Sequence, residues 1–315
     1  MQAERYRNVL RILCVVALLG CTNTALAQDA AESQPALPSI GLALGSGGAG
    51  GLAHIAMLGV FDELGLQPAA IAGTSIGAVM GALYAGGLDA EEIRAVFEEF
   101  GGSRLDMLSG MLQADAGASI AGLLETDLAD GGVLDINGFL DFLASKIEAR
   151  TFADLEVPLV VVTTDYWTGE MHAIRDGPLF PALAASMAVP GLFAPVERGE
   201  TLLIDGGTSN PLPFDLLQDR CDVVVAVDVS GSRHRDGAAK PGMLEMLFKT
   251  FEIMQGSLIS QRIAFHSPDI YIKVDTSGVR LLDFNRIDQV LEQARPAAQA
   301  LRRELDARVR AQRQP

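Results

Sequence analysis

The sequence predicts an α/β fold: a mostly parallel central sheet flanked by helices in a three-layer α/β/α arrangement. Three observations carry this expectation. Short apolar runs that read as buried strands alternate with stretches whose apolar residues recur at helical spacing. The first of these form a strand, helix, strand unit, the βαβ block of a parallel sheet. Glycine-rich turns follow several strand ends, where open α/β sheets place their ligands. No linker-like stretch interrupts residues 39–312, which are therefore expected to form one domain.

The elements follow in order. Arg5, Arg7 and Arg11 precede the apolar run Ile12–Leu19, which is too short to span a bilayer and has the form of an export signal. Two processing readings compete. Leu18-Leu19-Gly20-Cys21 has the form of a lipobox, which would make Cys21 a lipidated N-terminus. Ala25-Leu26-Ala27 has the form of a signal-peptidase site, giving a mature start at Gln28, and its spacing from the apolar run favours it. Either way the chain is expected outside the cytoplasm, in the periplasm or as an envelope lipoprotein. Residues 28–38 read as a flexible linker. Ile40–Leu44 is a buried strand, and Gly45–Gly51 a glycine-rich loop. Leu52, Ile55, Leu58, Phe61 and Leu64 mark a helix with Gly65 as its C-cap. Ala69–Ala72 is a second strand and Ala78–Ala85 opens a second helix. Ala90–Phe100 is amphipathic. Gly101–Gly132 is either a mobile cap beside an active site, with residues 104–124 lining an acyl groove, or a surface insertion. Ile136–Ile147 and Leu179–Met187 read as helices, the latter stopped near Pro190. Leu159–Thr163, Thr201–Ile204 and Val223–Val227 read as strands, the last two ending at Asp205 and Asp228. Ile270–Val274 is an edge strand, and Ile287–Arg310 a long helix with a solvated polar face.

Composition narrows the function. The 315 residues are 49% hydrophobic, and a net charge of −16 argues against nucleic acid and against strong attraction to anionic headgroups. The three cysteines are Cys14, Cys21 and Cys221. Only Cys221 lies beyond the export segment, so no internal disulfide and no zinc-type cluster is expected there, and Cys221 reads as a buried structural thiol. No metal or other cofactor is expected.

Gly73-Thr74-Ser75-Ile76-Gly77 lies between a strand and a helix. That is the layout of a nucleophile elbow, in which a strained turn aims the serine Oγ out of the sheet and the flanking glycines avoid clashes. The plainer alternative is an ordinary loop with Thr74 or Ser75 as helix N-cap. Acyl transfer also needs a base and donors for a developing oxyanion. Backbone amides of Gly47, Gly48 and Ala49 are candidate donors, and Asp205, followed by Gly206 and Gly207, is a candidate base; an ordinary strand-to-turn aspartate is its alternative. Gly45-x-Gly47-x-x-Gly50 also matches a dinucleotide fingerprint, but the next strand runs into Gly73-Thr74-Ser75 with no ribose-binding carboxylate.

Four blocks in order resemble the patatin-like phospholipase family, in particular its bacterial members. They are Leu42–Ile55, with the glycine loop; Gly73–Gly77; Ala185–Val196 (ASMAVPGLFAPV); and Asp205-Gly206-Gly207. Thr164-Asp165, Thr168-Gly169 and Leu281–Phe284 are smaller echoes, and the resemblance covers about residues 39–305. It implies a Ser–Asp dyad without histidine, with Ser75 as nucleophile, Asp205 as its activator and an oxyanion loop at Gly47 and Gly48. It also implies ester hydrolysis on phospholipids, lysophospholipids or simple acyl esters, with no metal; a membrane surface is an expected partner. Two positions depart from the pattern. Gly50 stands where the family usually has Arg or Lys, and Ser46 where many members have glycine. The loss of the cation leaves the backbone donors and removes a charge able to attract phosphate. His54, His172, His234 and His266 are expected to be individually dispensable, His54 serving core packing. The leading expectation is thus an exported serine acyl hydrolase. The alternatives are a non-catalytic lipid-binding envelope protein on the same fold and a Rossmann-type nucleotide-binding enzyme.

Overall fold

A computed structural model describes residues 37–100, 136–231 and 243–313. The expected export segment, most of the linker, the expected cap and His234 lie outside the described residues. The described residues between Pro38 and Arg308 form one compact unit.

The sheet is built from β1 (Ile40–Leu44), β2 (Ala70–Thr74), β3 (Leu159–Asp165), β4 (Met171–Ile174), β5 (Val196–Arg198), β6 (Thr201–Asp205), β7 (Val223–Asp228) and β8 (Ile270–Lys273). β3, β2, β1, β7 and β8 are neighbours in that order and parallel. β4, β5 and β6 add antiparallel pairings at the β3 end. The apolar runs of β1, β2 and β7 are buried on both faces, as central parallel strands must be.

The two faces differ in side-chain size. Leu42, Leu44, Ile71, Val161, Val225 and Val227 point to one face, into the main core. That core also holds α1 (Ala53–Leu64), α2 (Ile76–Ala85), α3 (Ala90–Phe100), α4 (Asn137–Ala144) and α5 (Leu179–Ser186). Alternate positions Ala43, Ala72, Val160 and Ala226 face the other way, where the small side chains admit Phe214, Leu217 and Ile259. Ile259 belongs to α6 (Met243–Phe265), the crossover between the parallel strands β7 and β8. The last helix is α7 (Ile287–Arg313), whose Val290, Ala294, Leu301 and Leu305 join the main core. Among the described residues, no helix is long and apolar enough to cross a membrane.

Most expected elements are found within a few residues. Gly65 caps α1 in the left-handed region (φ 60°), as expected. A 3-10 turn over Gly48–Leu52 delays the start of α1 to Ala53. Helix α6 and strands β4 and β5 were not expected. β4 and β5 are short and partly exposed, so neither shows an apolar run.

The register along β3 positions the site. Val162 pairs with Thr74 of β2 on one edge and with Ala173 of β4 on the other. The next residue, Thr163, pairs with His172 of β4 and with Asp205 of β6. β6 therefore takes over the edge that β2 leaves. Where the chain of β2 turns away at Ser75, Asp205 arrives from the opposite direction.

Candidate active site

Ser75 sits at φ 55°, ψ −125°, between the end of β2 and the start of α2. It is the only non-glycine residue with positive φ among the described residues. Such a conformation costs about 1–3 kcal/mol and persists only where its surroundings enforce it. A Cβ at Gly73 would lie 2.5 Å from the Gly77 carbonyl oxygen, and one at Gly77 would lie 2.2 Å from that of Leu44. The elbow therefore closes only with glycine at both positions. Ser186, at the end of α5, braces it. The Ser75 amide donates to Ser186 Oγ at 2.8 Å, and that hydroxyl donates to the Val162 carbonyl at 2.7 Å. The N-cap alternative does not hold. Ser75 makes no side-chain cap bond, and the Thr74 hydroxyl donates to the Asn210 carbonyl at 2.9 Å.

Asp205 is fully buried. Its Oδ1 accepts from the Gly207 amide at 2.6 Å. Burial pushes its carboxyl up to about 7, opposed by a hydrogen bond from Ser75 and by the Gly207 amide. The Ser75 contact falls short of full hydrogen-bond geometry, leaving Oδ2 without a strict partner among the described residues. Such bonds commonly tighten only when substrate arrives. Gly206 is sterically required by the backbone beside it, and Gly207 lies close against side chains. A Cβ at Gly206 would lie 2.2 Å from the Val162 carbonyl oxygen, and one at Gly207 2.1 Å from Gln255 Nε2.

In the glycine loop, the Gly45 amide donates to Val227 O and that of Ser46 to Pro211 O. The amides of Gly47 and Gly48 donate to no acceptor among the described residues. Gly48 has φ 53°, and a Cβ there would lie 2.5 Å from Leu281. Ala49 corrects the sequence reading. Its amide donates to the Leu281 carbonyl at 2.8 Å, so it is consumed by the fold and is not a free oxyanion donor. The space beside Gly50 is tight: a Cβ there would come within 3.3 Å of Thr276 and of the Val229 carbonyl oxygen.

Residues that the sequence did not single out complete the site. Gln255, on α6, is buried, and its Oε1 accepts from the Ser46 hydroxyl at 3.0 Å. One amide side chain thus links the glycine loop to the turn after Asp205. Beside the loop, Asp228 is buried at the end of β7 and accepts from Tyr271 Oη (2.6 Å), Lys273 Nζ (2.9 Å) and the Ser230 amide (2.9 Å). Burial pushes its carboxyl up, but the Lys273 charge and these hydrogen bonds outweigh it and hold the pKa low. Asp228 is an ionised strut under the loop, in contrast to Asp205, which has no cation beside it among the described residues.

The histidines stand apart. His54 is buried and its Nε2–H donates to the Gly45 carbonyl at 2.8 Å. Burial drives its pKa down to about 4, against the pull of that bond and of Asp228, so the ring is neutral near pH 7. His172 and His266 are exposed. Cys221 is half-buried rather than buried; its Sγ lies against Gly41, and burial raises its pKa. No group of three His, Cys, Asp or Glu side chains that could hold a metal gathers among the described residues.

The chain is similar to an uncharacterized NTE family protein of Mycobacterium tuberculosis (strain ATCC 25618 / H37Rv), 34% identical over 196 residues, covering 62% of this chain and 50% of the relative. It is also similar to patatin-like phospholipase domain-containing protein 7 of Rattus norvegicus, 28% identical over 280 residues, covering 81% of this chain and 20% of the relative. The chain thus spans half the length or less of these curated relatives. Among solved structures it matches VipD from Legionella pneumophila at a TM-score of 0.44 and 15% identity, over 83% of this chain and 66% of that one. The family model for patatin-like phospholipases matches residues 42–217, from the glycine loop through the elbow to the turn after Asp205, and the chain belongs to the patatin-like phospholipase family.

Proposed function

We propose that this protein is a serine acyl hydrolase that cleaves acyl esters of lipids through a Ser75–Asp205 dyad. The observation that carries the proposal is a serine in an enforced, strained elbow abutting a buried carboxyl that has no cation beside it among the described residues. The family's name and those of the relatives point to the same substrate class.

In the proposed cycle the Asp205 carboxylate accepts the Ser75 hydroxyl proton as Oγ attacks the ester carbonyl carbon. The carbonyl oxygen becomes an oxyanion, held by the amides of Gly47 and Gly48 at the positive end of α2. Collapse expels the alcohol, which takes the proton from Asp205, and leaves an acyl-enzyme. Water then attacks the acyl carbon while Asp205 takes its proton. Release of the acid returns that proton to Ser75 Oγ. A dyad needs no histidine because Asp205, raised to about 7, is a stronger base than an ordinary carboxylate. Residues 1–27 are proposed as an export signal, which intact-mass analysis of the mature protein checks.

Labelling with a fluorophosphonate probe tests the assignment. One equivalent should attach at Ser75, and none to Ser75→Ala. A folded wild-type protein that stays unlabelled would replace this reading with the non-catalytic lipid-binding one.

A further inference from the structure

The large exposed apolar side chains are not spread evenly over the described surface. Six of them stand at the end of the sheet that carries Ser75: Tyr166, Trp167, Met246, Leu247, Ile253 and Met254. Two elements carry them. Tyr166 and Trp167 form the tip of the β3–β4 hairpin, which continues past Thr163, the residue level with Asp205. Trp167 is 71% exposed and meets Tyr166 edge-on at 4.9 Å.

The other four lie on α6. Gln255 fixes that helix to the active-site end through Ser46. The helix then runs across the alanine-lined face, and Asp269, just beyond it, caps the far end of β7 through the Val224 amide. The turns before Gln255 therefore overhang the active-site end, by up to about 14 Å at 1.5 Å per residue. Met246 and Ile253 are two turns apart, as are Leu247 and Met254, so the four make adjacent rows on one outward face. Each is more than half exposed. Between them the charged residues are Lys249 and Glu252, which pair with each other at 2.8 Å.

We infer that this rim docks the protein on the surface of an electrically neutral or zwitterionic lipid aggregate. The inference rests on the acyl-hydrolase reading and specifies where that substrate is met. Apolar rows flanked by an internally neutralised ion pair offer nothing to an anionic surface, and a chain of net charge −16 is repelled by one. A Trp–Tyr pair fits the boundary between headgroups and acyl chains, where a ring is buried and its polar edge stays wet. Docking there brings Ser75 to the lipid, because rim and nucleophile share one end of the sheet.

Trp167 is the only tryptophan in the sequence and so reports on its own docking. The test uses the full chain carrying Ser75→Ala, so that vesicles stay intact, mixed with phosphatidylcholine vesicles. Expected are a blue shift of the emission and co-sedimentation with the vesicles. Replacing Met246, Leu247, Ile253 and Met254 together by serine should weaken both about tenfold or more. In the Ser75 background, the same four changes should leave turnover of p-nitrophenyl butyrate in free solution within about twofold. Vesicle binding unaffected by the four changes would overturn the inference, as would binding that needs anionic lipid. A concentration-dependent blue shift without vesicles would overturn it in favour of a second copy on the rim, and a Trp167 emission already blue in dilute protein in favour of a segment of this chain. Absent butyrate turnover in the wild type would instead sink the acyl-hydrolase reading, leaving the vesicle result to stand by itself.

Discussion

Asp205 and Asp228 are both buried aspartates at strand ends, and their surroundings push them apart. Lys273 and Tyr271 hold Asp228 ionised, whereas burial keeps Asp205 near 7. Only the second can exchange a proton near neutrality, which is what a general base requires. Two expectations follow at this scale. Asp205→Asn should lower turnover at least about a thousandfold, within the range seen when a base is removed, as read by steady-state kinetics on a soluble ester. Gly77→Ala should destabilise by more than about 2 kcal/mol in a urea titration, because its Cβ would sit 2.2 Å from a carbonyl oxygen. The residues legible in the sequence were those whose pattern is local: Ser75 between two glycines, and Asp205 before two more. Ala49 was misread because its amide partner, Leu281, lies far along the chain and nothing local announces it.

At the scale of elements, α6 does two jobs with two faces. Its inner face holds Gln255 against the glycine loop, and its outer face carries the apolar rim. That division also explains why the helix was not read from sequence. An amphipathic pattern needs a polar outer face, and Met246, Leu247, Ile253 and Met254 occupy it instead. By contrast, β1, β2 and β7 were plain, because central parallel strands are continuous apolar runs. Gln255→Ala should cut kcat about tenfold with KM changed less than about twofold, since the bond positions the loop rather than binding substrate. Ser46→Ala breaks the same bond, so the double variant should be little worse than either single one in the same assay. Fully additive losses would remove Gln255 from the positioning role.

For the whole molecule, two buried groups set opposing dependences of stability on pH. His54 is depressed from 6.5 to about 4. Its contribution is full above the unfolded value and is lost as pH falls through 4. Asp205 is raised from 3.8 to about 7. Its contribution is full below the unfolded value and is lost as pH rises through 7. Between about pH 4 and 6.5 the two offset each other. Asp205→Asn removes one of them. Its stability relative to the wild type should grow from pH 4 to 7 and level off above, a gain of a few kcal/mol on the scale of 1.36 per pKa unit, read by thermal melts. On the proposed reading, a base that destabilises its own fold is the expected trade between activity and stability.

The central claim is that Asp205 activates Ser75 without a histidine. The pH dependence of kcat/KM for a short p-nitrophenyl ester, measured for the wild type, Ser75→Ala, Asp205→Asn and His54→Gln, tests it most directly. The account predicts a wild-type rate that rises with pH to a plateau with a midpoint near 7. It predicts the same limb in His54→Gln and no turnover in the other two folded variants. An Asp205→Asn enzyme that keeps both its rate and that limb, or a His54→Gln enzyme that is folded and inactive, would contradict it.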